Sequence, residues 1–184
     1  MPAVKEFNPG MAHHLDNNFN GMKDRLKQRH EGLQRQLSVS EPRPLKFDDK
    51  GVAKLEKWSP QKPDDAVVDT VVEGRGLHIQ TGPSKRTTAS WRKKVILTKG
   101  AYVFEAKAKA ADVQAIEDQS GTGVGARLSG GQRTNKLSGN SDWTTLRHEF
   151  EIGDAQREVE LVLELRATGG QVWFDTQHLL LIKK

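Results

Sequence analysis

The sequence predicts an all-β sandwich with a helical extension at its N-terminus, and three observations lead to this prediction. Between Glu158 and Arg166 every second residue is apolar, which is typical of a strand with one buried face. Further short apolar segments follow one another from residue 45 onward, with glycine and proline between them. Apolar residues at helical spacing occur in Leu15–Leu37, before a proline-containing linker.

The closing part of the chain contains two of the predicted strands. Glu158–Arg166 precedes a turn signal at Thr168-Gly169-Gly170, and a second apolar run then extends from Gln171 to Ile182. We expect these two strands to form a β-hairpin. Another tight turn is predicted at Thr98-Lys99-Gly100. The remaining predicted strands are Leu45–Phe47, Val52–Trp58, Ala66–Val72, Gly76–Gln80, Trp91–Leu97, Ala101–Lys109, Gly123–Leu128 and Trp143–Ile152.

Composition limits the classes of protein and of site. The 184 residues suit one ordinary domain with an appendage, the formal net charge is +5, and there is no cysteine. The missing cysteines exclude disulfides and thiolate metal sites. No apolar run approaches the roughly 18 residues of a membrane-spanning helix. The polar N-terminal region shows no signal-peptide pattern, so an exported protein would carry its signal elsewhere.

Leu15–Leu37 is predicted to be a helix with one apolar face, formed by Leu15, Phe19, Met22, Leu26, Leu33 and Leu37. Its other face is basic, which is compatible with nucleic acid. A solvated face on a helix that packs against a neighbour explains the charge more simply, and we expect no nucleic-acid partner. Ser38–Pro44 has linker composition. We therefore divide the chain into a helical extension, residues 1–41, and a β-sandwich, residues 42–184.

Two groups of motifs in the β region resemble a known family. The first comprises Gly76-Leu77-His78-Ile79, Ser90-Trp91-Arg92 and Lys99–Phe104, and the second comprises Asp142-Trp143-Thr144, Glu160–Arg166 and Gly170–Asp175. Over about Pro44–Lys184 they resemble a carbohydrate-binding module of the jelly-roll type found in families four and nine. The resemblance implies a galactose-binding-like jelly-roll sandwich and a polysaccharide or glycan ligand.

The helix carries a second resemblance. Asn20–Arg29 followed by Leu33–Leu37 resembles the closing helix of the spore-coat-H-like (CotH) kinase fold, whose nucleotide-binding and catalytic motifs are absent from this sequence. The resemblance implies that the sequence is the tail of a larger, exported protein. We therefore expect an extracellular or cell-surface location and a preceding domain or protein partner for the helix.

The sequence contains no pattern that indicates an enzyme. There is no nucleophile elbow, no phosphate-cradling glycine loop and no His-Glu-x-x-His helix. Gly121-Thr122-Gly123-Val124-Gly125 resembles a nucleotide-binding loop only superficially, because a strand is predicted after it and not a helix. Glu160 and Glu164 could form a carboxylate pair, but their positions on an alternating strand favour a solvated face. We predict that the protein is not an enzyme.

Metal binding is expected mainly through the family resemblance. The resembled modules often bind a structural calcium ion near the end of the last strand, where Asp175 occupies the matching position. Asp48 and Asp49, near the first strand of the domain, could supply further oxygen ligands, which calcium prefers. Aspartates that accept backbone hydrogen bonds are the alternative. The six histidines lack the spacing of a zinc site.

Strand parity separates candidate ligand-binding side chains from the core. Tyr102, Phe104 and Phe174 share their faces with small or apolar residues and are predicted to be core. Trp173 has the opposite parity, beside Gln171, and is the best candidate for a platform that stacks on a pyranose ring. Trp91, at the start of a strand, is a second candidate, with core packing as the alternative.

Charged side chains complete the candidate carbohydrate site. Arg127 has polar parity on its strand and could hydrogen-bond a sugar or a uronate carboxylate, and so could Glu164 and Arg166. Trp143 matches a position that is structural in the resembled modules. These residues lead to the hypothesis of non-catalytic carbohydrate binding by a β-sandwich module. The alternative is an accessory module that contacts another domain or protein and binds no sugar.

Overall fold

The structure is a computed structural model that describes residues 9–38, 43–64, 66–71, 76–82, 86–116 and 121–184. The chain divides into two compact units, Met1–Pro42 and Arg43–Lys184. Residues 39–42 of the predicted linker lie outside the described residues, as does Val72 of a predicted strand.

The described part of the first unit is one helix, α1, Pro9–Ser38. Pro9 suits the first position of a helix, where its missing N–H leaves no intrahelical hydrogen bond unmade. Within the predicted apolar face, the most exposed side chains are Leu26 at 61%, Leu33 at 57% and Met22 at 55%. The side chain of Leu37 lies outside those described. No helix among the described residues is long and apolar enough to cross a membrane.

The second unit is built from eight strands among the described residues. They are β1 Val52–Lys54, β2 Ser59–Gln61, β3 Ala66–Val71, β4 Gly76–Thr81, β5 Thr87–Val113, β6 Gly123–Leu128, β7 Gly139–Ala167 and β8 Gly170–Lys183. All pairings between them are antiparallel. The predicted strand at Leu45–Phe47 does not form, but the N–H of Leu45 donates to the carbonyl of Ile96, and the side chains of Leu45 and Phe47 pack against the core.

The pairings form two sheets that share β5 and β7. In the front sheet the order is β3, β4, β8, the second half of β5 and the first half of β7, with β1 against the end of β8. In the back sheet the order is β2, the first half of β5, the second half of β7 and β6. The chain therefore passes between the sheets within its two longest strands.

The turn predicted at Thr98-Lys99-Gly100 is wrong. Thr98 pairs with Gln156 and Gly100 pairs with Ile152, so three residues of β7, 153–155, lie opposite the single residue Lys99 of β5. Extra residues in one strand of an antiparallel pair form a bulge, which bends both strands without ending them. A glycine inside a strand is typical of such a bulge, and here it marks the corner between the two sheets.

The predicted hairpin between the last two strands is also wrong. In the described chain, β7 pairs with β5 and β6, whereas β8 pairs with β4, β5 and β1. The connecting turn is held by Gln114, whose N–H donates to the carbonyl of Gly169 and whose carbonyl accepts from the N–H of Thr168. The turn therefore carries the chain from the back sheet to the front sheet.

One hydrophobic core lies between the sheets. Phe104 and Phe174 from the front sheet and Leu161, Leu163 and Leu165 from the back sheet all have 0% exposure and belong to one cluster. Tyr102 is 1% exposed and joins them, as predicted. Two antiparallel sheets over one core confirm the predicted all-β jelly-roll sandwich with an N-terminal helix.

Candidate functional site

The outer face of the front sheet carries a line of aromatic and polar side chains. Asp69 pairs with His78, His78 pairs with Trp173, and Trp173 pairs with Lys109, so these residues cross four neighbouring strands. On the fifth strand Trp143 adjoins Thr144, the partner of Ala108. We call Asp69, His78, Trp173, Lys109 and Trp143 the tryptophan row. With strands about 4.8 Å apart, the row is roughly 19 Å long.

Contacts along the row fix the ring of Trp173. The His78 ring stacks on it with centroids 5.2 Å apart and planes inclined by 20°. Asp69 lies 2.8 Å from His78 Nδ1, and the amide oxygen of Gln171 lies 3.3 Å from His78 Nε2. These polar contacts hold the imidazole, which in turn supports one face of the indole. Trp173 is half-buried, so the ring is both supported and accessible.

The other tryptophans differ in part from expectation. Trp91 is no platform, because it is 5% exposed and its Nε1–H donates to the carbonyl of His78 across the core. Core packing was the alternative stated for it. Trp143 is 45% exposed on the outer face, so the structural role implied by the family resemblance does not describe its position here. Trp58 stacks on Phe104 at 6.1 Å.

A second group of predicted residues meets on the outer face of the back sheet. Arg127 holds Glu164 by two parallel hydrogen bonds, Nε to Oε1 at 3.0 Å and Nη2 to Oε2 at 2.9 Å. Arg166 Nη2 lies 3.1 Å from Oε2, and Arg133 Nη1 lies 3.3 Å from Oε1. We call the cleft of about 510 Å³ that these four residues line the arginine cleft.

Glu164 corrects one expectation and confirms another. It lies on the outward parity of β7, as predicted, but it is 1% exposed and not part of a solvated face. Polar parity on a strand indicates a side chain that points away from the core, and it does not show whether a loop covers that side. Here the loop between β6 and β7 covers the carboxylate.

Arg133, on that loop, was missed by the sequence reasoning. Its guanidinium also donates to the backbone carbonyls of Gly123 and Thr122. A Cβ at position 125 would lie 2.0 Å from Arg133 Cδ, so only glycine leaves room for this side chain. Asn135 anchors the same loop by bonds with the backbone N–H and carbonyl of Ala126. In the sequence, the glycines of Gly121–Gly125 were therefore the one available signal that another side chain packs closely against this strand.

Electrostatics in this region follow from burial. Desolvation lowers the pKa of Arg133, the Glu164 carboxylate raises it, and the Arg166 and Arg127 charges lower it further. Burial also lowers the pKa of His148, and the positive charge of Arg127 adds to that effect. His148 Nδ1 is buried without a hydrogen-bond partner in the described part of the chain.

The predicted calcium ligands are not brought together. Asp48 Oδ1 accepts backbone hydrogen bonds from Lys50 and Val52, and Val52 pairs with Ile182 near the end of β8. Asp175 instead accepts from the backbone N–H of Gln177 and contacts His178 Nδ1 at 2.7 Å. No three His, Asp or Glu side chains among the described residues form a metal-binding group. Calcium binding therefore stays a prediction without support from these contacts.

The carboxylates considered for catalysis are engaged in ion pairs. Glu160 lies 2.6 Å from Arg92 Nη1, and Glu164 is held within the arginine cleft. A strand, β6, follows the glycines at 121 and 123, as predicted, so these residues do not open a helix as a nucleotide-binding loop does.

Comparison with known proteins gives likenesses of fold. No protein-family model matches the chain, and no curated protein matches its sequence. The fold is similar to TmCBM61, solved in complex with β-1,4-galactotriose, with 11% identity, a TM-score of 0.42 and coverage of 69% of this chain and 88% of that one. It is also similar to a structure described as CBM4, with 19% identity, a TM-score of 0.44 and coverage of 69% and 86%.

A third likeness is to the family 11 carbohydrate-binding module from Clostridium thermocellum, solved in complex with a β-1,3-1,4-mixed-linked tetrasaccharide. It has 16% identity and a TM-score of 0.31, and it covers 76% of this chain and 94% of that one.

Proposed function

We propose that the protein binds a glycan without cleaving it, through the tryptophan row. The observation that carries this proposal is the half-buried indole of Trp173, supported from one side by the His78 ring at 5.2 Å and aligned with the exposed Trp143. A rigid aromatic face with polar neighbours suits a sugar ring, which offers apolar C–H groups on its faces and hydroxyls at its edge.

Polar groups on both sides of Trp173 can fix the hydroxyls of a bound sugar. Gln171 and Lys109 are both partly exposed beside it, and Asp142 lies 3.7 Å from Lys109 Nζ at the far end of the row. Because the row crosses five strands, successive sugar rings of a chain would meet successive strands. The row therefore favours an oligosaccharide over a single monosaccharide.

The placement of Asp69, in the row, and of Asp142, next to Trp143, supports binding without cleavage. Asp69 and Asp142 stand at opposite ends of the row, about 19 Å apart by strand spacing. Glycosidases place their two carboxyl groups about 5 to 9.5 Å apart on either side of the scissile bond. Asp69 and Asp142 are too far apart for that arrangement.

A glycan array with the full chain tests this function. We expect a specific oligosaccharide ligand whose affinity falls at least about tenfold in Trp173→Ala and in Trp143→Ala. Lys94→Ala is the matched control, because Lys94 is an exposed residue of the back sheet, paired with Glu158 at 3.3 Å. A folded protein that binds no glycan, or that keeps full affinity in both tryptophan variants, would contradict the proposal.

Two further predictions from the sequence concern calcium and the location of the protein. Running the array with calcium and with a chelator shows whether an ion at Asp175 supports binding. An exported parent protein, and hence an extracellular location, also stays a prediction, which localisation of the full-length parent would check.

The exposed apolar face of α1 favours a second candidate function, contact with another protein. Phe19, Met22 and Leu26 are each more than half exposed. An isolated helix gains most of its stability by burying such a face. Sedimentation of the full chain and of a Phe19→Lys, Leu26→Lys variant tests self-association through this face. An unchanged monomer in both samples would argue against a second copy as the partner.

A further inference from the structure

The arginine cleft carries more positive than negative charge among its described residues. Arg127, Arg133 and Arg166 surround the single carboxylate of Glu164. Two guanidinium charges therefore lack a counterpart within the described lining. The cleft, at about 510 Å³, falls in the range of roughly 300 to 1,000 Å³ that is common for ligand pockets.

Arg166 keeps a donor that the described chain does not satisfy. Its Nη2 contacts Glu164, but its Nε is buried and has no hydrogen-bond partner within the described residues. A buried donor without an acceptor costs free energy that an incoming oxygen ligand can recover. The side chain as a whole is 28% exposed, so a ligand can contact the part of Arg166 that is open to solvent beside this buried donor. Gly130 and Gly131 form part of the wall and place no side chain across the entrance.

We propose that the arginine cleft binds the carboxylate of a hexuronate residue. The guanidinium is planar and presents its donors in a fork that matches two carboxylate oxygens. Arg127 already holds the Glu164 carboxylate in this bidentate way, at 3.0 and 2.9 Å. A second carboxylate, brought by a sugar, would compensate the two remaining charges and supply an acceptor for Arg166.

The neighbouring surface favours one isolated uronate over a continuous polyuronate. Gly130 and Gly131 also line a second depression of about 700 Å³. Its charged residues are Glu151, Glu158 and Glu160 against Lys94 and Arg157. Glu160 is paired with Arg92 and Glu158 with Lys94, so this surface has no excess of positive charge that would attract the next carboxylate of a polyuronate chain. A neutral sugar beside the uronate needs no such charge.

The proposed site is independent of the tryptophan row. The row faces outward from the front sheet and the cleft faces outward from the back sheet, with the shared core between them. If one of the two sites does not bind its ligand, binding at the other site can therefore still be measured. Trp173→Ala should leave uronate binding unchanged.

Nuclear magnetic resonance of the arginine Nε–Hε signals in the full chain tests the proposal. The probes are D-glucuronate, D-glucose, which lacks only the carboxylate, and inorganic sulfate. The variant is Arg166→Gln, which leaves Arg127 and Arg133 on Glu164. The matched control is Arg92→Gln, because Arg92 lies on the same sheet face, is 27% exposed and also contacts one carboxylate, Glu160.

We expect glucuronate, and not glucose, to shift the Arg166 Nε–Hε signal, and the affinity to fall about tenfold or more in Arg166→Gln but less than about twofold in Arg92→Gln. Equal shifts by glucose, a preference for sulfate over glucuronate, or equal losses in the two variants would overturn the proposal. If Arg166→Gln does not fold, the comparison of the three probes on the unmodified protein still decides it.

Discussion

The two outer faces of the sandwich differ in how far their functional side chains are exposed. On the front sheet, Trp173 stays half-buried and its neighbours contact one another in pairs at the surface. On the back sheet, a loop covers Glu164 to 1% exposure and three arginines surround it. The front face can therefore lose a side chain without loss of the fold. On the back face, the buried charge cluster also contributes to the stability of the fold.

The largest effect should come from removing the buried charge of the back face. Glu164→Gln leaves three guanidinium groups without their shared carboxylate, and we expect the free energy of unfolding to fall by about 3–5 kcal/mol. Urea unfolding measures the change. The control Glu160→Gln removes a pair whose carboxylate is 24% exposed and should cost about 1 kcal/mol or less. Similar losses in both variants would show that burial does not distinguish the two pairs.

A smaller loss is expected from displacing Arg133 without changing any charge. In Gly125→Ala the new Cβ would overlap Arg133 Cδ, at 2.0 Å, so the side chain must leave its position. We expect a loss of about 1–3 kcal/mol in unfolding free energy. Gly153→Ala is the control, since nothing lies within 4 Å of its Cβ position, and it should change stability by about 0.5 kcal/mol or less. An unaffected Gly125→Ala protein would contradict the described packing of Arg133.

The front face should respond weakly to truncation. Trp173→Ala removes a half-buried ring with one stacked neighbour, and we expect a cost near 1 kcal/mol. The adjacent Phe174 has 0% exposure, so Phe174→Ala should cost about 3–5 kcal/mol. Thermal or urea unfolding compares the two directly. Equal costs would mean that Trp173 is part of the core and poorly suited to act as a ligand platform.

The smallest effect concerns pH and His148, a buried residue of β7 that pairs with Phe104 in the front sheet. Burial and Arg127 lower the pKa of His148 in the folded protein below the ordinary value of 6.5. Below that pH the unfolded chain binds more protons than the folded one, so the free energy of unfolding should fall as the pH drops from about 6.5 toward the lowered pKa.

Urea midpoints of the wild type and of His148→Gln across this pH range test the effect. The slope should be smaller in His148→Gln than in the wild type. A slope that is identical in both proteins would assign the pH dependence to other groups.

Strand parity predicted which side chains point outward, and this part of the site was predictable. Trp173, Gln171, Arg127, Glu164 and Arg166 all lie on outward positions, as expected. Alternation is a local property of an extended chain, so a single strand is enough to reveal it. The same reasoning could not distinguish an open outer face from one that a loop covers, and it therefore missed the burial of Glu164.

Connections between strands were less predictable than the strands. Thr98-Lys99-Gly100 and Thr168-Gly169-Gly170 have similar turn composition, yet the first continues β5 opposite a bulge of β7 and the second links two different sheets. Glycine permits either conformation, and the choice depends on pairing partners that are distant in sequence. The exposure of Trp143 was misjudged for a related reason, because it depends on how β7 pairs and not on the residues next to Trp143 in the sequence.

The passage of β5 and β7 through both sheets has a consequence for how the protein folds. Thr87 pairs with Ala167 and Val113 with Gly139, so the longest ladder joins distant parts of the chain. Folds dominated by such distant contacts fold slowly, on the order of milliseconds to seconds. Until β7 is available, one edge of the 27-residue strand β5 has no partner. Lys94, Lys107 and Lys109, on its outward positions, place charge where another chain would otherwise pair, which protects the folding chain from aggregation.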